Sequence, residues 1–114
     1  MQRTIKFRAW DKEEQEMLDW DKFFNLDIAQ VFESKGSWGV YPMQYTGLKD
    51  ANGVEIYEGD IVNWQGAVCY ISWEESDASF MAVEQYDSWA ESGQEWGGNC
   101  KVIGNIYQNP ELLK

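Results

Sequence analysis

A tight turn at Asn52-Gly53 constrains the fold more than any other feature of the sequence. An Asn-Gly pair supplies the positive φ angles that a tight hairpin turn requires. Residues 45–49 before the turn and residues 54–57 after it include aromatic and β-branched side chains, which favour strands. The pattern predicts two short strands that meet as a β-hairpin.

Further short strands follow this hairpin. Residues 61–64, 67–73 and 79–84 carry strand-like apolar patterns, and residues 101–107 look like a closing strand. Aromatic side chains make up 16% of the chain, and such large flat groups favour pleated, half-buried surfaces. Five or more short strands at this spacing predict a small β-barrel or sandwich.

The beginning of the chain predicts a small separate lobe. Residues 5–10 alternate like a strand, and residues 17–20 could return as its hairpin partner. Residues 21–35 fit both a helical face and a strand alternation, and an Asp at the start with Gly36 just past the end favours a short helix. The fold class is therefore mainly β, or α+β.

The domain organisation follows from one candidate linker, the loop at residues 34–39. We expect residues 1–38 to form a strand and helix lobe and residues 39–114 to form a β-barrel. A chain of 114 residues has the length of one compact domain, so we expect a single compact unit overall.

Charge and length limit the classes of function. The chain has 20 acidic and 9 basic residues, for a net charge of −11. A negative surface repels phosphates, which argues against direct nucleic-acid binding and against binding to an anionic membrane. No apolar run approaches the roughly 18 residues of a membrane span, and the start lacks the apolar stretch of a signal peptide, so we expect a cytoplasmic location.

The residue types that catalysis and metal binding need are scarce. The chain has no His, which excludes Ser-His-Asp and Cys-His catalysis and an imidazole general base. Cys69 and Cys100 cannot form a tetrahedral zinc set alone, and in a cytosolic chain we expect them to be reduced core residues. We therefore expect a non-enzymatic protein without a metal or cofactor.

Three blocks of sequence together resemble one known family. The blocks are residues 6–11 (Lys-Phe-Arg-Ala-Trp-Asp), residues 43–62, which include the Asn-Gly turn, and residues 102–107 with residues 109–112. They are similar to the YopX family of phage and prophage proteins. The resemblance implies a mainly β fold with an SH3-like barrel, carriage on a mobile element in a bacterial host, and self-association. It implies no activity, catalytic residue or cofactor.

The segment between the last two predicted strands suggests a binding function. Residues 85–99 are acidic and long for a hairpin loop, yet they hold one Tyr and two Trp, the usual anchors of interface energy. We predict that this loop contacts a host or phage protein through a defined set of side chains: Tyr86, Asp87, Trp89, Glu91, Glu95 and Trp96. In the alternative, Trp89 and Trp96 fold back over one end of the barrel as a lid on the core.

A second hypothesis comes from the net charge. The carboxylates of a phage protein could imitate phosphates and occupy the basic groove of a host nuclease, restriction enzyme or CRISPR effector. The alternative is that acidity only keeps a Trp-rich chain in solution. A mimic requires its acids to form a stripe on one face, whereas the sequence shows only local groups, such as residues 11–16, 74–77 and 91–95.

Overall fold

A computed structural model describes residues 5–24, 39–76, 78–84, 90–92 and 96–113. The chain divides into two compact units, Met1–Tyr45 and Thr46–Lys114. The division lies inside a strand, whereas the candidate linker at residues 34–39 falls almost wholly outside the described residues. Among the described residues, no helix has the length and apolar character that crossing a membrane requires.

The described residues are mostly strands. In chain order the elements are β1 (Phe7–Asp11), β2 (Glu16–Leu18), α1 (Trp20–Phe24), β3 (Val40–Lys49), β4 (Glu55–Tyr57), β5 (Asp60–Trp64), β6 (Ala67–Glu74), β7 (Ser79–Glu84), β8 (Ala90–Ser92), β9 (Lys101–Asn105) and a 3-10 helix (Pro110–Leu113). The strands follow the order β2-β1-β3-β4 in a first sheet and β8-β7-β6-β5-β9 in a second sheet. The predicted mainly β fold is confirmed.

The first unit contains the predicted N-terminal hairpin. β1 and β2 are antiparallel, with Ala9 opposite Leu18, and both side chains are buried in a small apolar cluster. The Asp11 carboxylate accepts the backbone N–H groups of Glu13 and Glu14, each at 3.1 Å. These bonds satisfy donors that the hairpin turn would otherwise leave without a protein partner.

A short helix follows the hairpin. The Oδ1 atom of Asp19 accepts the backbone N–H of Lys22 at 3.0 Å, which is the geometry of a helix N-cap. The helix α1 therefore begins one residue earlier than the predicted segment 21–35. The structure shows a helix at residues 21–24, and the rest of that segment lies outside the described residues.

The core of the second unit lies on one face of the second sheet. Along β6 the buried residues are Cys69 and Ile71, and along β7 they include Phe80 and Ala82, so both strands alternate as the sequence predicts. The whole cluster is Ile56, Val62, Trp64, Cys69, Ile71, Phe80, Ala82, Trp96 and Cys100. Complete burial of a side chain such as Ile71 stabilises the fold by about 1.5–3 kcal/mol.

The turn between β3 and β4 confirms the predicted hairpin but differs in detail. Only Gly53 of the Asn-Gly pair has a positive φ, 83°. The backbone N–H of Gly53 donates to the Asp50 carbonyl oxygen at 3.1 Å, so residues 50–53 form a β-turn whose last residue is the left-handed glycine. The Asp50 side chain also accepts the N–H groups of Asn52 and Val54, which favours this wider loop.

The positive φ of Ala78, at the β6–β7 turn, predicts that replacement of this residue by glycine stabilises the protein. Its φ of 48° lies in the left-handed region, where an L side chain costs about 1–2 kcal/mol. We expect Ala78→Gly to raise the free energy of unfolding by about 0.5 kcal/mol, because relief of strain exceeds the added entropy of the unfolded chain. Urea unfolding followed by circular dichroism measures the change. The control is Ala51→Gly, at an exposed turn residue without a positive φ, which should be destabilising; equal effects of the two changes would contradict the strain at Ala78.

Candidate functional site

Among the predicted contact residues, Trp96 is the one whose side chain the structure describes. Trp96 is 0% exposed and belongs to the core cluster of the second unit. It therefore offers no surface to a partner, in contrast to its predicted role, and it occupies the core position that the alternative assigned to it. The strand β8 includes the backbone of Glu91, and the remaining contact residues lie outside the described residues: Tyr86, Asp87, Trp89 and Glu95.

The segment that was expected to be a loop contains a strand. β8 pairs antiparallel with β7, with Glu91 opposite Ala82 and Ser92 opposite Met81. β8 stands last in the described strand order of the second sheet. The middle of the predicted contact segment is therefore a strand of the second sheet, and its pairing with β7 gives its position in that sheet.

The register brings the end of β8 to the tip of the β6–β7 hairpin. β7 is antiparallel to both β6 and β8, so β6 and β8 run in the same direction. Ser72 lies opposite Met81, which lies opposite Ser92. Since neighbouring strands are about 4.8 Å apart, the backbones of Ser72 and Ser92 lie about 10 Å apart. We call this part of the second sheet the hairpin end: Trp73, Glu74, Glu75, Phe80 and the C-terminal end of β8.

Trp73 is the exposed aromatic residue of the hairpin end. Its side chain is 40% exposed, whereas that of Phe80, its cross-strand neighbour, is 7% exposed. The two rings meet edge to face, with centroids 5.0 Å apart and planes at 67°. Such a pair is worth about 0.5–1.5 kcal/mol beyond its buried area. The core therefore holds the Trp73 ring on one side and leaves the rest of it accessible.

Negative charge is concentrated in the second unit. Residues 46–114 contain 12 acidic and 3 basic residues, whereas residues 1–45 contain 8 acidic and 6 basic residues. Between Lys49 and Lys101 the sequence has 11 acidic residues and no Lys, Arg or His. At the hairpin end, Glu74 is partly exposed and Glu75 is exposed. The sequence between the two lysines supplies no cation to neutralise this region.

Among the acids of this stretch whose side chains the structure describes, three are buried: Asp50, Asp60 and Glu84. The carboxylate of Asp60 accepts the backbone N–H of Tyr57 at 2.8 Å and so closes the turn between β4 and β5. This bond gives Asp60 a structural role in the turn. A buried carboxylate with such a partner serves the fold, and it adds nothing to the accessible charge.

The carboxylate of Asp50 has three backbone donors. Oδ1 accepts the N–H groups of Asn52 at 2.8 Å and Val54 at 2.9 Å, and Oδ2 accepts that of Val102 at 3.0 Å. Burial by itself would raise the pKa of Asp50, but these N–H groups and the charge of Lys101 outweigh it and lower the pKa below its ordinary value of 3.8. Asp50 is therefore a charged structural residue that joins the β3–β4 turn to β9.

The two cysteines lie in the core of the second unit, and both are free thiols. Cys69 on β6 lies opposite Val62 on β5, and β5 separates it from β9, which Cys100 directly precedes. Burial raises the pKa of each thiol to about 11, with a further contribution from Glu84 at Cys69 and from Asp50 at Cys100.

The comparisons with known proteins agree with this architecture. The family model described as "YopX protein" matches residues 6–114, a range that covers all three sequence blocks. The chain belongs to the YopX family, as the resemblance implied. The crystal structure of protein EF1440 from Enterococcus faecalis is similar, with 28% sequence identity and a TM-score of 0.68 over 99% of this chain and 100% of that chain. The search of curated proteins found no match.

The donors around Asp50 predict a pH-dependent effect of substitution. We expect Asp50→Asn to lower the free energy of unfolding at pH 7 by about 2–3 kcal/mol, because an amide offers one acceptor oxygen where the carboxylate uses two. The folded pKa is lowered, so the contribution of the carboxylate is complete above 3.8 and is lost as the pH falls through the folded-state value. Urea unfolding at pH 7 and at pH 3 should show the two proteins converging at the lower pH.

The matched control for Asp50 is Asp19→Asn. Asp19 caps α1 from an exposed position, and Asn is as good an N-cap as Asp, so its effect should stay below about 0.5 kcal/mol. A loss at Asp50 no larger than that at Asp19 would contradict the role assigned to the buried carboxylate.

Thiol labelling tests the core positions of the cysteines. We expect a disulfide-type thiol reagent at pH 8 to leave Cys69 and Cys100 unmodified in the folded protein and to label both in denaturant, because burial keeps the thiols protonated. Absorbance of the released thiolate gives the stoichiometry. Ser76→Cys, at an exposed position, is the control and should add one rapidly labelled thiol. Rapid labelling of the unsubstituted folded chain would contradict the assignment.

Proposed function

We propose that this YopX-family protein is a non-enzymatic binding module that holds a protein partner at the hairpin end of its second sheet. One observation supports the proposal above all. The strand register brings the predicted contact segment, through β8, to the same end of the sheet as the exposed Trp73 and the acidic pair Glu74 and Glu75. An exposed aromatic ring beside charged groups is the composition of an interface anchor.

The finer sequence predictions belong to the same proposal. The barrel of residues 39–114 is SH3-like, the protein works in the cytoplasm of a bacterial host, and its origin is a phage or prophage. The partner is a host or phage protein, and self-association accompanies the binding. Tyr86, Asp87, Trp89, Glu91 and Glu95 contact the partner, while Trp96 contributes indirectly, as the core residue that anchors the C-terminal end of this contact segment.

The charge of the second unit favours a partner with a basic surface. An acidic region without interspersed cations attracts such a surface and speeds its association. Salt at physiological strength screens exposed charges beyond about 8 Å, so only the acids close to the contact influence affinity. Neutralising two acids of the predicted contact set, Glu91 and Glu95, should therefore weaken binding more than neutralising two acids outside that set.

Affinity capture from bacterial lysate tests this function. We expect the tagged protein to retain a partner at low salt, and we expect retention to fall severalfold when Glu91→Gln and Glu95→Gln are combined, or when Trp89 becomes Ala. Quantitative mass spectrometry at low and high salt measures retention. Trp96 is left unchanged because its replacement would open the core.

The control for the charge variant is a pair of exposed acids in the first unit, Glu13→Gln with Glu14→Gln. It removes the same net charge at residues outside the proposed contact set, so retention should fall less than for Glu91→Gln with Glu95→Gln. Absence of a retained partner, or equal losses for both pairs, would contradict the proposed contact site.

A second candidate function is imitation of nucleic acid. The observation that favours it is the absence of any basic residue from residues 50–100, which hold 11 acids. In this case the retained partner is an enzyme with a DNA-binding groove, and short duplex DNA displaces it with a steep dependence on salt. A partner that DNA does not displace would exclude imitation and leave the protein-binding module in place.

A further inference from the structure

The hairpin end contains an aromatic residue that sequence patterns do not single out as a contact. Trp73 follows the core positions Cys69 and Ile71 on β6, and alternation alone assigns it to the buried face. Its 40% exposure shows that the core ends at Phe80. Other large apolar side chains are exposed among the described residues, but Trp73 is the aromatic one: Ile5, Val54, Ile103 and Leu112 are aliphatic.

We infer that Trp73, with the exposed Glu75 two residues further along the chain, forms a subsite that takes a cationic side chain, Arg above all, from the partner protein. The inference rests on the proposed function and names the group that the hairpin end recognises. An indole ring is the best aromatic surface for a cation, and a guanidinium also stacks flat on it.

The geometry prepares the ring for such a ligand. The edge-to-face contact with Phe80, at 5.0 Å, holds the indole against the core. A ring that is already ordered loses little side-chain entropy when a partner binds, so more of the contact energy remains as affinity. The exposed part of the ring is available because Trp73 stands next to the last residue of β6, where the sheet ends.

The surrounding charge decides between a cationic and an apolar occupant. An apolar group placed on Trp73 would desolvate the carboxylate of Glu75 without giving it a counter-charge, which is costly. An Arg side chain covers the ring with its flat face and donates N–H groups to carboxylates. The sequence supplies no competing cation between Lys49 and Lys101.

A peptide titration tests the subsite in the intact chain. The probe is a capped Gly-Arg-Gly-Arg-Gly peptide, and the matched peptide carries citrulline, which is neutral and of the same shape, in place of arginine. We expect the arginine peptide to shift the indole N–H resonance of Trp73, which the spectrum of Trp73→Phe identifies. The citrulline peptide should bind at least tenfold more weakly, because the cation is absent.

Substitutions of Trp73 distinguish the contribution of its π surface from that of its apolar bulk. Trp73→Leu keeps an apolar side chain and removes the π surface, so the dissociation constant of the arginine peptide should rise about threefold to tenfold. Trp73→Phe should have a smaller effect. The control Val54→Ala removes exposed apolar surface at the β3–β4 turn and should leave the affinity unchanged. Thermal unfolding of each variant verifies that it is folded.

The outcomes distinguish the inference from the proposed function. If arginine and citrulline peptides bind alike, if Trp73→Leu binds as the original chain does, or if neither peptide binds, the subsite is overturned. A partner that is still captured from lysate in those cases leaves the proposed function standing. If the arginine peptide shifts Trp73 and Trp73→Leu weakens it while no lysate protein is retained, the subsite stands and the proposed function fails.

Discussion

The carboxylate of Asp50 is the interaction on which the architecture of the second unit depends. It accepts N–H groups from its own turn and from Val102, 52 residues further along the chain. Beside it, the N–H of Ala51 donates to the Cys100 carbonyl at 2.9 Å and that of Gly98 donates to the Lys49 carbonyl at 2.8 Å. Bonds to a charged acceptor are roughly twice as strong as neutral ones, so one side chain organises the start of β9.

The position of Asp50 gives the two ends of the second sheet different roles. Val102, its distant donor, shares a row of the sheet with Val62 and Cys69, and Trp73 lies four residues further along β6, a distance of about 13 Å. Lys101 lies at the Asp50 end, where its charge acts on the carboxylate. The end near Asp50 is therefore held by buried hydrogen bonds, while the hairpin end has an accessible ring and two acids, Glu74 and Glu75.

Three tryptophans show how far sequence reasoning reaches at the site: Trp73 on β6, and Trp89 and Trp96 in the predicted contact segment. Tyr and Trp in an acidic segment indicate an interface, and this reasoning selects Trp89 and Trp96. Trp96 is instead fully buried, because it packs in the core cluster that also contains Cys100. Alternation along β6 assigns Trp73 to the buried face, so sequence reasoning did not select it. The ring is exposed because the core that β6 covers ends before the strand does. The acidic pair directly after Trp73 is the signal that could have marked it.

By itself, the sequence determined the mainly β class, the N-terminal hairpin, the hairpin around Asn52-Gly53 and the family, since these follow from local alternation, turn chemistry and short motifs. Only the tertiary structure decided which of the described tryptophans is exposed, that Asp50 is buried, and that β8 ends beside the β6–β7 hairpin. Exposure and register depend on contacts between residues far apart in the chain, and no local pattern records those contacts.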